Sequence, residues 1–85
     1  MLTAQIEDEI RNFLANTYLS GRAERLKRDD SLLGNIIDSA GAIELVVFVE
    51  QHFGVSVEDQ DVVPENFDSI RNLATYVQKK LDGKT

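Results

Sequence analysis

The chain has 85 residues with 15 acids, nine bases, one His and a formal net charge of -6, and it contains neither Cys nor Trp. That length supports one modest core, in which an enclosed catalytic cavity would compete with packing for the same side chains. The composition excludes a disulfide framework, a thiolate nucleophile, a thiolate metal site and a multi-histidine zinc site, and the negative charge opposes nonspecific attraction to nucleic acid or anionic lipid.

Acids interrupt the apolar residues of Met1 to Ile10 before a signal-peptide core can form. The longest strongly apolar uncharged stretch is the five residues Leu45 to Val49, too short to span a membrane. A soluble, cytoplasmic, monomeric protein is expected, as one domain over 1–85 with its core at about 3–81.

Thr3 is placed to cap a first helix running to about Tyr18, with Ile6, Ile10, Phe13, Leu14 and Thr17 on one face. Leu19 to Asp38 lacks sustained helical period and reads as a long loop, pinned to the core by Leu32-Leu33 and Ile36-Ile37. Loops of that length are uncommon unless functional. A second helix is predicted from Ser39 to Gly54, a good left-handed terminator, with Ala42, Leu45, Val46, Val49 and Phe53 as its core face. Ile43, Val47 and Phe48 lie off that face, and Glu44 and Glu50 fall on the exposed side. Residues 55–67 contain Pro64 and leave room for one irregular turn or short helix around Glu58 to Val62. The last helix starts near Asp68 or Ser69 and runs to about Leu81, with Ile70, Leu73, Ala74, Val77 and Leu81 as an apolar stripe and Phe67 as a staple. Lys79 and Lys80 complement its C-terminal dipole. The fold class is all-α: a small four-helix bundle of three main helices and one short one, with a long first loop.

Charge is segregated along the chain. Residues 1–28 carry four acids and five bases, residues 29–70 carry ten acids and no Lys or Arg, and residues 71–85 carry one acid and four bases. A run of acids is commonly a solvated face. Its concentration along one helix also suits recognition of a basic partner.

Asp-Ser occurs three times, as Asp30-Ser31, Asp38-Ser39 and Asp68-Ser69. Asp30-Ser31 lies in the loop with no helix after it. Asp68 at the start of the last helix is explained as an N-cap. Ser39 alone combines a helix start, a long preceding loop and an acidic strip, although taken locally a serine there is also a helix cap.

The segment Ile36-Ile37-Asp38-Ser39-Ala40-Gly41-Ala42-Ile43-Glu44-Leu45 resembles the attachment site of acyl and peptidyl carrier proteins. Val46 to Val57 is similar to that family's second helix and following turn, and Pro64 to Ile70 with the final helix to its closing segment, so the likeness covers about residues 3–81. It implies the acyl-carrier-protein-like fold and a 4′-phosphopantetheine group on Ser39, donated by coenzyme A through a phosphopantetheinyl transferase. The thiol of that group would carry acyl or aminoacyl intermediates as thioesters in fatty acid, polyketide, peptide or specialised lipid synthesis, so the chain itself would be no enzyme. The resemblance further implies that Asp38, Glu44 and Glu50 meet basic docking patches on the transferase and on acyl-loading and acyl-using enzymes, with Ala40, Ile43 and Val47 in apolar contact. Ala40-Gly41 departs from the family, where Leu often follows the serine. The remaining alternatives are an unmodified acidic interaction domain and a small hydrolase built on His52. No nucleophile or second base accompanies His52, which reads as structural. Asp59-Gln60-Asp61 opens like a calcium loop, but no Gly or distal Glu follows at the required spacing, so no metal site is expected.

Overall fold

The computed structural model describes residues 2–83; Met1, Lys84 and Thr85, the ends of the expected 1–85 domain, lie outside the described residues. Four helices are formed: α1 (Thr3–Tyr18), α2 (Ser39–Phe53), α3 (Pro64–Phe67) and α4 (Ile70–Asp82). Single 3₁₀ turns occupy Ala23–Arg25 and Asp59–Asp61. Among the described residues the only β-type pairing is an isolated bridge between Leu33 and Ile37.

Helix α1 begins one residue earlier in its capping than the sequence suggests. Leu2 is the N-cap, and its backbone N–H donates to Gln5 Oε1 at 3.0 Å. Thr3 is the first helical residue, with its hydroxyl 3.4 Å from Gln78 Oε1 on α4. Ile6, Ile10 and Leu14 are fully buried, with Ala15 beside them, whereas Thr17 is exposed and leaves the expected face. Helix α4 packs chiefly on α1 and contributes Ile70, Leu73, Ala74 and Val77 to the same core, with Leu81 at its edge. Fully burying each such aliphatic side chain contributes roughly 1.5–3 kcal/mol, which makes this pair of helices the mechanical base of the fold.

Helix α2 closes the core with Leu45, Val49 and Phe53, while Ala42 and Val46 are only partly covered. It ends at Gly54, whose φ of 69° is the left-handed conformation a glycine adopts without Cβ strain. Pro64 does not merely break the chain after Val62: it occupies the first turn of α3, where its missing N–H costs nothing. Phe67 at the end of α3 is 1% exposed and packs beside Tyr76 with ring centroids 5.8 Å apart.

The long loop of residues 19–38 is held at three buried points, Leu26, Leu32 and Ile37. Its backbone is stitched to the start of α4: Leu32 N–H donates to Asp68 O at 2.7 Å and Arg71 N–H to Arg28 O at 2.9 Å. Asp68 is not the helix cap. Ser69 caps α4, its hydroxyl accepting from Asn72 N–H at 3.0 Å, which leaves the Asp68 carboxylate to bind the loop.

Candidate functional site

The loop enters α2 through a tight turn. Leu32 O accepts from the N–H groups of Asn35, Ile36 and Ile37, and Gly34, at φ 82°, donates its N–H to Ile37 O. With Leu32 and Ile37 both anchored in the core, the position and direction of Asp38 are fixed.

Asp38 is extended, and its Oδ1 accepts from Gly41 N–H at 2.8 Å. It is therefore the N-cap of α2, and the alternative in which Ser39 itself caps the helix is not the one formed. Ser39 is the first helical residue, exposed, with no hydrogen-bond partner for its hydroxyl among the described residues. Its neighbour Asp38, an equally good cap, has taken the structural task, so the serine is held in place while its oxygen remains available.

Two apolar grooves meet at this residue. One, about 420 Å³, is lined by Leu33, Ile37, Val62, Val63 and Phe67 as well as Ser39. The other, about 450 Å³, lies between α2 and the 3₁₀ turn, against Ala42, Ile43, Val46, Asp59 and Val62. The first-turn N–H groups of Ser39 and Ala40 have no intrahelical acceptor, and the positive end of the helix dipole points the same way. A phosphodiester followed by an extended arm of alternating amide and hydrocarbon segments fits these residues: the anion at the helix start, the arm against either groove.

Asp38, Ala40, Ile43, Glu44 and Val47 are all exposed along α2, with Ile43 at 67% and Val47 at 44%. Large apolar side chains left this open on a helix flanked by carboxylates form a surface suited to a protein partner. Glu50 departs from the expected exposed strip. It is half-buried, and its Oε2 accepts from Val57 N–H at 2.9 Å, which ties down the segment after α2.

Sequence reasoning missed Tyr18 and the reason for Gly41. The Tyr18 hydroxyl donates to Glu44 Oε2 at 3.0 Å. A Cβ on Gly41 would lie 2.8 Å from that hydroxyl oxygen and 3.0 Å from Ile37 Cβ, so the glycine admits the close approach of Tyr18 to α2. Burial, and then the Glu44 carboxylate, push the Tyr18 phenol above its ordinary pKa, with Asp38 adding to the effect. A glycine in the first turn of a helix, where propensity disfavours it, was the available signal.

His52 lies elsewhere. Its Nε2 is 2.9 Å from Glu9 Oε1, and its ring stacks on Phe48 at 4.9 Å, which in turn stacks on Phe13 at 4.2 Å. Asp61 accepts from the Tyr76 hydroxyl at 2.8 Å, and Lys80 Nζ is 3.7 Å away. Among the described residues no group of three or more His, Cys, Asp or Glu could hold a metal ion, and no helix is long and apolar enough to cross a membrane.

Comparison with known proteins gives a concordant result. A family model described as a phosphopantetheine attachment site matches residues 19–77. The chain is 32% identical over 75 residues to the probable acyl carrier protein PigG of a Serratia species, covering 87% of this chain and 86% of that protein. It is also similar to the solution structure of a holo acyl carrier protein from Nitrosomonas europaea, with a TM-score of 0.78 and 31% identity over 92% of this chain and 98% of that one.

Proposed function

This chain belongs to the phosphopantetheine-bearing carrier family that includes acyl carrier proteins, and we propose that Ser39 is the residue that bears its 4′-phosphopantetheine. The observation that carries this reading is the division of labour between Asp38 and Ser39: the aspartate caps α2, and the serine hydroxyl beside it stays exposed and unpaired among the described residues. Had Ser39 been needed as the cap, its substitution by a phosphate ester would have unmade the helix start.

The prosthetic group supplies a thiol that holds an acyl or aminoacyl load as a thioester. The chain's own residues do the rest. Asp38 fixes the first turn of α2, and Leu32 and Ile37 hold the loop so that Ser39 is presented rather than buried. The backbone N–H groups of Ser39 and Ala40 stabilise the attached anion. Ile43 and Val47, with Asp38 and Glu44 on the same exposed side of α2, meet the transferase and the loading and acyl-using enzymes, whose basic patches complement those two carboxylates. Such pairing speeds encounter and selects partners, and it gives contacts that added salt weakens. The protein acts as a carrier in fatty acid, polyketide, peptide or specialised lipid synthesis, with no catalytic residue of its own.

The test is intact-mass measurement after incubation with coenzyme A, magnesium and a broad-specificity phosphopantetheinyl transferase. One phosphopantetheine is expected on the unsubstituted chain and none on Ser39→Ala. A mass gain that survives Ser39→Ala would reject the site, and no gain with several transferases would reject the carrier reading in favour of an unmodified acidic interaction domain.

A further inference from the structure

Tyr18 is the last residue of α1, yet its hydroxyl reaches across the bundle to the partner-facing side of α2. Three features converge there. The hydroxyl donates to Glu44 Oε2 at 3.0 Å; Gly41 lacks the Cβ that would lie 2.8 Å from the hydroxyl oxygen; and Tyr18 shares the wall of a cavity of about 270 Å³ with Ile36, Ile37 and Asp38, directly before Ser39. Glu44 is otherwise a long, exposed side chain with no ion-pair partner among the described residues. Left free, such a side chain samples many rotamers, and a partner that needs its carboxylate in one place must restrict it on binding.

We infer that Tyr18 is a positioning residue for partner recognition: it holds the Glu44 carboxylate in one orientation on the exposed side of α2, so that a basic side chain of an incoming enzyme meets a preorganised acceptor. The inference rests on the carrier reading above and names how its docking face is ordered. One Glu44 oxygen is engaged by the phenol, and the other remains open for a guanidinium or ammonium group. Gly41 is the permissive element, since any larger residue there would push the hydroxyl away.

The experiment is steady-state phosphopantetheinylation of the apo protein by one transferase with coenzyme A and magnesium, comparing the unsubstituted chain, Tyr18→Phe, Glu44→Gln and the double variant. Tyr18→Phe retains the ring and its packing, and thermal melts check that all four chains fold. The expected result is a KM for the carrier raised about three- to tenfold in Tyr18→Phe, with kcat little changed, since ordering one flexible interface side chain is worth that much. In the Glu44→Gln background the same substitution should raise KM no further. An unchanged KM, or an equal rise in both backgrounds, overturns the proposal by removing Tyr18 from the Glu44 interaction. Absence of modification on the unsubstituted chain overturns the carrier reading and this inference with it, so the two failures are told apart.

Discussion

Asp68 holds Ser31 across 37 positions of sequence: both carboxylate oxygens accept from the Ser31 hydroxyl at 2.9 Å, and Oδ1 also accepts from Leu33 N–H at 2.9 Å. Because Leu33 opens the turn that delivers Asp38 and Ser39, this one carboxylate at the start of α4 helps to set where the loop before α2 lies.

Asp68→Ala removes hydrogen bonds to a charged acceptor at a partly exposed site, so a loss of about 1–2 kcal/mol is expected, lowering Tm by roughly 5–10 °C. Ser69 still caps α4, so helix content should be retained. Loading of Ser39 should slow because the loop is less well fixed. Circular-dichroism melts and a loading time course measure the two effects together, and a change in helix content without a change in loading rate would contradict the assignment of Asp68 to the loop.

Asp38 and Ser39 should separate stability from modification. Removing the N-cap in Asp38→Ala costs about 1 kcal/mol, whereas Ser39→Ala, at an exposed position with no structural bond, should stay within about 0.5 kcal/mol of the parent. Only Ser39→Ala should abolish the mass gain. Urea unfolding of the two variants, set beside their intact masses after transferase treatment, checks the crossed pattern.

Tyr76 predicts an alkaline limit to stability. Burial and the hydrogen bond to Asp61 raise its phenol well above the ordinary 10.0, with further repulsion from Asp61, Glu58 and Glu50. The unfolded chain therefore releases this proton first as pH rises, while the folded chain retains it. The stabilisation is fully present below pH 10 and is lost as pH climbs from there towards the folded value. Chemical denaturation between pH 8 and about 12 should show a decline beginning near 10, and Tyr76→Phe should flatten it. Tyr18, shifted in the same direction, leaves a smaller residual slope.

Phe48 and His52 should differ sharply although they stack on one another. Phe48→Ala deletes the ring that joins Phe13, His52 and Phe53 and should cost about 2–3 kcal/mol, less than a fully buried phenylalanine. His52→Ala loses a solvent-accessible contact with Glu9 worth at most about 1 kcal/mol. It should leave loading of Ser39 intact. Ester turnover by the purified protein that disappears in His52→Ala would instead revive the hydrolase reading.

Helical periodicity made α2 and α4 legible, because Leu45, Val49 and Phe53, and likewise Ile70, Leu73 and Val77, repeat at the spacing of one buried face. The family-like run from Ile36 to Leu45 pointed to Ser39. What escaped was chemistry decided by tertiary contact. Asp38 and Ser39 are both good caps, and only the backbone path of the anchored loop determines which one serves. Asp68 and Ser69 pose the same choice, and the loop decides it again by claiming Asp68. Glu50 looked like a member of the exposed strip until the segment after Gly54 folded back to donate Val57 N–H to it. Tyr18 stood at the end of an amphipathic helix with nothing local to announce its partner on α2.

The stitches between the loop and the start of α4 also impose an order on synthesis. Leu32 and Leu33 bind Asp68, and Arg28 binds the Arg71 amide, so the loop preceding Ser39 takes its fixed course only after residues far downstream have been made. A nascent chain that has exposed Ser39 but not yet Asp68 lacks the contacts that shape the recognition site. The course of that loop is thus a property of the finished domain, set by contacts that only the start of the carboxyl-terminal helix supplies.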